Sequence, residues 1–168
     1  AGFAGIGWSI VPCLVLAAVI GVGIHLVRRR GRRGATSSPS TSRWWTIGAA
    51  VAAAVVIGLQ IFAVIGQPSA ISQTFDNVFH LNAIRYIMET GAASPLELGQ
   101  MTSPNGGVPF YPSAWHATAA IVAQLSGVGI PAVVNAQTLV IAAVIWPVSA
   151  MLLARTLVGK TATVTVAA

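Results

Sequence analysis

The sequence predicts an all-α protein: a polytopic bundle of about four transmembrane spans, with an extracytoplasmic loop carrying an amphipathic interfacial helix. Three observations predict it. Charged residues make up 7% of the chain, against about 25% in ordinary soluble domains. Hydrophobic residues make up 55% and gather in runs near the roughly 20 residues that a bilayer core requires. Six of the nine basic residues fall between Arg28 and Arg43, the clustering expected of a cytoplasmic loop. That clustering reads as topology and not as nucleic-acid binding, so membrane lipids are the implied surroundings.

The elements follow in order. Residues 1–27 form the first span, with Gly2, Gly5, Gly7, Gly21 and Gly23 giving it small faces for close helix contact. Residues 28–43, RRRGRRGATSSPSTSR, form a flexible basic loop. Residues 44–66 form the second span, opened at the interface by Trp44 and Trp45. Residues 67–111 are then an extracytoplasmic loop, and all three acids, Asp76, Glu89 and Glu97, lie in it. Residues 112–130 form a short third span begun by Pro112, and residues 131–154 a fourth, in which Trp146-Pro147 is a kink site. Counting crossings places Arg155 and Lys160 outside; a re-entrant third span would reverse the last helix. Residues 155–168 begin a further apolar segment. With its apolar opening at Ala1 and no basic n-region before it, the chain reads as a piece of a longer multi-pass protein without a signal peptide.

Within the outer loop, residues 74–90 predict a helix, with Thr74 as its N-cap and Gly91 as its stop. Phe75, Phe79, Ala83, Tyr86 and Ile87 share one arc of the helical wheel, with Asn82, Arg85 and Glu89 opposite. This is the pattern of a helix lying along a membrane surface. SPNGGVP follows as a turn-rich tip.

Asp76 and His80 sit together at the edge of the apolar face, one turn apart. A carboxylate carries a cost of about 2.5 to 3.5 kcal/mol at mid-bilayer and less at the interface. Its presence here suits a general base or metal ligand facing a cleft, or an acid favoured by the helix dipole. His80 could bond that carboxylate, hold a phosphate or bind metal. His116, in FYPSAWH, could converge with both. Three such groups can hold zinc, but no other metal spacing exists, so a divalent metal is the one cofactor considered and none is expected. Arg85 suits a phosphate contact or an i,i+4 pair with Glu89. Tyr111 and Trp115 suit stacking on a sugar ring or anchoring at the interface. Gln124, Asn135 and Gln137 suit interhelical hydrogen bonds.

The order of these features resembles a known family. A span leaves the membrane, an Asp follows within about ten residues, and FDNVFHLNAIRYIMETGAASP ends in a Gly and a Pro. FYPSAWH then opens the next span, and a helical hairpin closes on AMLLARTLVG. From about Trp44 to Gly159 this resembles the amino-terminal core of the GT-C superfamily of membrane glycosyltransferases. It is more similar still to a family of large uncharacterised multi-pass proteins of actinobacteria placed near that superfamily. The resemblance implies a sugar donor on polyprenyl phosphate, a glycan or glycolipid acceptor of the cell envelope, and a bacterial plasma-membrane location. It implies Asp76 as the catalytic carboxylate, taking a proton from the acceptor hydroxyl. Asn77 stands where many relatives carry a second acid, which argues against a paired-carboxylate, metal-dependent form.

The expected function is therefore transfer of a sugar from a lipid-phosphate donor on the extracytoplasmic side. Asp76 and His80 are the expected catalytic residues, and His116, Tyr111, Trp115 and Arg85 the expected substrate contacts. A transporter or flippase of lipid-linked sugars is the first rival, a non-catalytic scaffold the second, and a zinc hydrolase the third.

Overall fold

The computed structural model describes residues 7–31, 43–103 and 109–157. Most of the basic loop, the tip of SPNGGVP and the terminal segment with Lys160 lie outside them. The described elements are helical: α1 (Ile10–Gly31), α2 (Arg43–Ile65), α3 (Phe75–Thr90), α4 (Pro95–Gln100), α5 (Ala114–Ser126), α6 (Ile130–Val140), a π-helical turn (Ile141–Ile145) and α7 (Trp146–Leu157). No strand occurs among the described residues.

Three of these stretches are long and apolar enough to cross a membrane: Ile10–Val27, Trp44–Ile65 and Ile130–Leu157. The span expected at 112–130 is not among them. It is α5, with 13 residues, which rises about 20 Å against a hydrocarbon core of about 30 Å. The α5 helix stops at Gly127, whose φ of 68° supplies the left-handed turn and whose N–H closes on the Ala123 carbonyl at 3.0 Å.

The chain forms two compact units. The first joins α1 to the segment from Ile71 to Val133, and its centre is the contact of α3 with α5. Ala83, Ile84 and Ile87 of α3 and Ala117, Ala120, Ile121 and Ala123 of α5 are buried there. Full burial of an isoleucine is worth about 1.5–3 kcal/mol, and the alanines let the two backbones come close. The apolar face of α3 that the wheel assigned to lipid is thus largely covered by protein, and Ile84 belongs to it. Phe75, in the first turn, is 95% exposed. Thr74 holds the N-cap position without a side-chain cap bond, and Gly91 ends the helix as expected, with φ 68°.

The second unit is a hairpin of α2 with the α6–π–α7 helix. At one end, Asn135 near the start of α6 donates from Nδ2 to the carbonyls of Pro68 and Ala70, 2.8 Å each, just past the end of α2. At the other, the Arg155 guanidinium donates to the Thr46 hydroxyl near the start of α2. The helices are therefore antiparallel, and Arg155 lies at the end where α2 begins. The expected crossing count had put it at the opposite end; α5 is not among the candidate spans, and without it the count agrees with the hairpin.

The kink expected at Trp146-Pro147 takes the form of the π turn. Pro147 has no N–H to return to the preceding turn, and the ladder widens before it: the Trp146 N–H bonds the Ile141 carbonyl, five residues back. A Cβ on Gly58 would touch that of Ala143 at 3.9 Å, so a small residue on α2 admits the π turn. The small faces of α1 are not used in this way, because Gly21 and Gly23 have nothing within 4 Å of an added Cβ.

Candidate functional site

Two histidines meet in the first unit. His80 lies in the second turn of α3 and His116 in the first turn of α5, and the packing of α3 on α5 sets His80 Nδ1 2.9 Å from His116 Nε2. The rings are tilted by 32°, with centroids 5.1 Å apart. Aromatic rings enclose them. Phe79 packs edge-on to Tyr111 at 4.7 Å and to His116 at 5.8 Å. Trp115 meets His80 at 5.6 Å and His116 at 5.1 Å, again edge to face. Such ring pairs contribute beyond the area they bury, and here they fix the orientation of both imidazoles.

The segment leading into α5 is held from behind. The Tyr111 N–H donates to the Pro95 carbonyl at 3.0 Å, and Ser113 Oγ donates to the Ala93 carbonyl at 2.7 Å. Ser94 caps α4 by accepting from the Leu96 N–H, and Pro95 follows at the first helical position. Gly99 of α4 lies so close to Pro109 that a Cβ would overlap its carbonyl. From another side, Trp8 just before α1 ties the helices together. Its backbone N–H donates to the Gly91 carbonyl at 2.7 Å, and its indole Nε1 to the Ala117 carbonyl at 2.8 Å.

His116 is 2% exposed, and its pKa is lowered from 6.5 to about 4. Burial is the largest cause, because the charged ring loses its water, and the neighbouring charge on His80 is the second. The Pro112 carbonyl opposes both by favouring a proton on the ring, although it lacks the geometry of a full hydrogen bond. His116 Nδ1 is buried without a hydrogen-bond partner, as is Glu97 Oε2 on α4. At neutral pH the pair is thus a neutral imidazole behind a half-buried one, walled by aromatic rings. It can accept, hold or pass a proton.

The expected site residues divide. His80, His116, Tyr111 and Trp115 come together. Asp76 does not join them: it is exposed in the first turn of α3, and His80 bonds His116. No group of three or more His, Cys, Asp or Glu side chains able to hold a metal forms among the described residues, so the convergence of Asp76, His80 and His116 into a zinc site is not formed. Arg85 pairs with Glu89, and both are exposed. A cavity of about 280 Å³ flanks the start of α3, with Ser72, Gln73, Thr74 and Asn77 on its polar wall and Phe75 and Leu81 on its apolar one. Asp76 is not part of its lining.

Several contributors were not singled out from sequence. Asn77, read above only as a missing acid, is 9% exposed and donates to the Ser72 carbonyl at 2.8 Å, closing the chain onto α3. Phe79 is the ring common to Tyr111 and both histidines. One signal was present: each histidine of the pair follows an aromatic residue, in Phe79-His80 and in Trp115-His116, whereas His25 follows Ile24.

No curated protein and no solved structure matches the chain. A family model matches residues 1–168. The chain belongs to DUF6541, a family of unknown function.

Proposed function

We propose that the chain belongs to a membrane transferase that moves a sugar from a polyprenyl-phosphate donor to a cell-envelope acceptor, at the extracytoplasmic face of a bacterial plasma membrane. The observation that carries this reading is the His80–His116 pair, 2.9 Å apart and framed by Phe79, Tyr111 and Trp115. Glycosyl transfer needs a group that takes the acceptor hydroxyl proton as the new bond to the sugar's anomeric carbon forms. The bond from that carbon to the lipid phosphate breaks in the same event, and the phosphate leaves with the electron pair. A half-buried imidazole suits the proton, aromatic faces suit the C–H face of a sugar ring, and enclosure limits competing hydrolysis. A lipid-linked donor keeps its tail in the bilayer, so its sugar is presented where the segment between the second and third apolar helices meets the interface.

His80 takes the base role in this reading in preference to Asp76, because Asp76 is exposed and His80 is the residue held by a partner. The experiment is transfer from a polyprenyl-phosphate sugar by the full-length protein in lipid, comparing His80→Gln with Asp76→Asn. His80→Gln is expected to lower kcat by about 10²- to 10⁴-fold, the range for loss of a general base, and Asp76→Asn by much less. Full activity in His80→Gln removes the assignment. Movement of the lipid-linked sugar between leaflets, with no glycosidic bond formed, would replace the transferase with a transporter.

A further inference from the structure

We propose that Arg155 and Thr46, at one end of the α2–α7 hairpin, hold the phosphate of an anionic phospholipid headgroup in the leaflet on that side. The sequence of the second unit supplies the first reason. Residues 35–70 and 134–168 carry Arg43, Arg155 and Lys160 and no Asp or Glu. All three acids of the chain belong to the other unit, where Arg85 pairs with Glu89. Arg155 therefore has no carboxylate in its own unit to answer its charge. An arginine does not shed its proton in a protein, so partial burial leaves a cation that needs an anion. The hairpin cannot supply that anion; a phosphate in the surrounding leaflet can.

Position supplies the second reason. Arg155 is half-buried in the last turn of α7, and its guanidinium turns across to α2, where Nη1 donates to the Thr46 hydroxyl. An arginine that only sought water would extend past the end of its own helix. Here the group is fixed between two helices, both of them candidate spans. Thr46 lies close to the start of one span, at Trp44, and Arg155 close to the end of the other, at Leu157. Trp44 and Trp45 are exposed at the same end and mark it as headgroup depth, where indoles collect. The bond from Nη1 leaves the Nε–Nη2 edge of the guanidinium, which matches two phosphate oxygens. The Thr46 hydroxyl accepts from Arg155 and has its own hydrogen to donate. Exposed Ile47 on α2 and Leu152 and Leu153 on α7 offer apolar surface to the acyl chains of the same molecule, which a free phosphate would not use. A unit with cations and no acid favours a net-anionic lipid over a zwitterionic one, whose ammonium would meet the same cations.

This site is independent of the transferase reading and stands or falls without it. The test is native mass spectrometry of the full-length protein released from nanodiscs of phosphatidylcholine and phosphatidylglycerol in equal parts, followed by titration of phosphatidylglycerol into the protein in detergent. The wild type is expected to retain one more phosphatidylglycerol than Arg155→Gln, with phosphatidylcholine retained equally by both. In the titration, Arg155→Gln should weaken one phosphatidylglycerol site about tenfold. Thr46→Val keeps the charge but releases the guanidinium from its fixed position, and should weaken the same site about threefold. Arg32→Gln combined with Arg33→Gln removes two charges from the basic loop and should leave that site within about twofold. Unchanged retention in Arg155→Gln overturns the proposal, and so does an equal loss in the loop variant, which would mark diffuse attraction to the basic loop. Displacement of the lipid by inorganic phosphate or by glycerophosphoglycerol at equal concentration would make this a site for a free anion, and overturns it as well. Helix content by circular dichroism checks each variant. Should Arg155→Gln fail to fold, Thr46→Val decides: wild-type affinity for phosphatidylglycerol in that variant overturns the proposal.

Discussion

Acidification should loosen the first unit through His116. The folded protein holds this imidazole at about 4, against 6.5 for the free group. Above pH 6.5 the ring is neutral in both folded and unfolded chains, and it adds no pH dependence. Below 6.5 the unfolded chain takes up the proton first, so stability falls as the pH falls, until the folded ring also protonates near 4. A depression of about 2.5 pH units at 1.36 kcal/mol per unit amounts to about 3 kcal/mol. Of this, about 2 kcal/mol is already lost between pH 6.5 and 5. The assay is hydrogen exchange of the protein in lipid nanodiscs, followed at the amides of α3 and α5 and corrected for intrinsic exchange. The opening free energy should drop by about 2 kcal/mol over that interval, and His116→Phe should remove most of the slope. An opening free energy that stays level from pH 7 to 5, or a slope that survives intact in His116→Phe, would refute the reasoning.

Two further outcomes follow from packing and topology. Gly99→Ala would drive a methyl into the Pro109 carbonyl, a backbone atom that cannot swing aside; the expected cost is about 1–3 kcal/mol, read as faster exchange at Leu98 and in the first turn of α5. Cysteines placed at Trp44 and Thr156 should react with a membrane-impermeant maleimide from one side only, and a cysteine at Ser72 from the other; labelling of Thr156 and Ser72 from the same side would reject the hairpin reading.

Much of the fold was legible because bilayer length and charge sidedness are coarse constraints. The second apolar run and the α3 helix with its Gly91 stop lie within a few residues of where pattern alone put them, whereas the first helix, expected over residues 1–27, begins only at Ile10 and runs to Gly31. The α5 helix was misread for a physical reason. Hydropathy measures whether a residue avoids water, and the alanines and Ile121 of α5 do so by packing on α3, which looks the same as packing on lipid. Only helix length separates the two, and Gly127 sets that length. The site was half legible. Proximity of Asp76 and His80 in sequence suggested a pair, but α3 turns one residue to solvent and the other towards α5. The contact of His80 with His116 spans 36 residues and needs the relative rotation of two helices, which no local pattern encodes.

Three candidate spans in place of four also ease an electrostatic difficulty, and each unit does so on its own terms. In the first, Trp8 pins the start of α1 to Gly91 and Ala117, beside the helices that carry the histidine pair. The last turn of α1 carries Arg28, Arg29 and Arg30. A helix of 22 residues rises about 33 Å, enough to separate those two ends by a hydrocarbon core. In the second unit, Arg155 reaches Thr46, near Arg43, while Asn135 bonds the chain at the far end of α2. In each unit the arginines borne by its long apolar helices thus lie at one end of them, while Arg85 of the first unit, on α3, is paired with Glu89. The positive-inside bias assigns both of those ends to the cytoplasm, without any appeal to how one unit meets the other. Crossing an arginine to the wrong side would leave it far from the anionic leaflet, where each basic residue near the surface gains about 1 kcal/mol. Within the first unit, the same bias puts the histidine pair at the end of α1 away from its arginines, which is the end where the proposed chemistry would need a lipid-linked sugar.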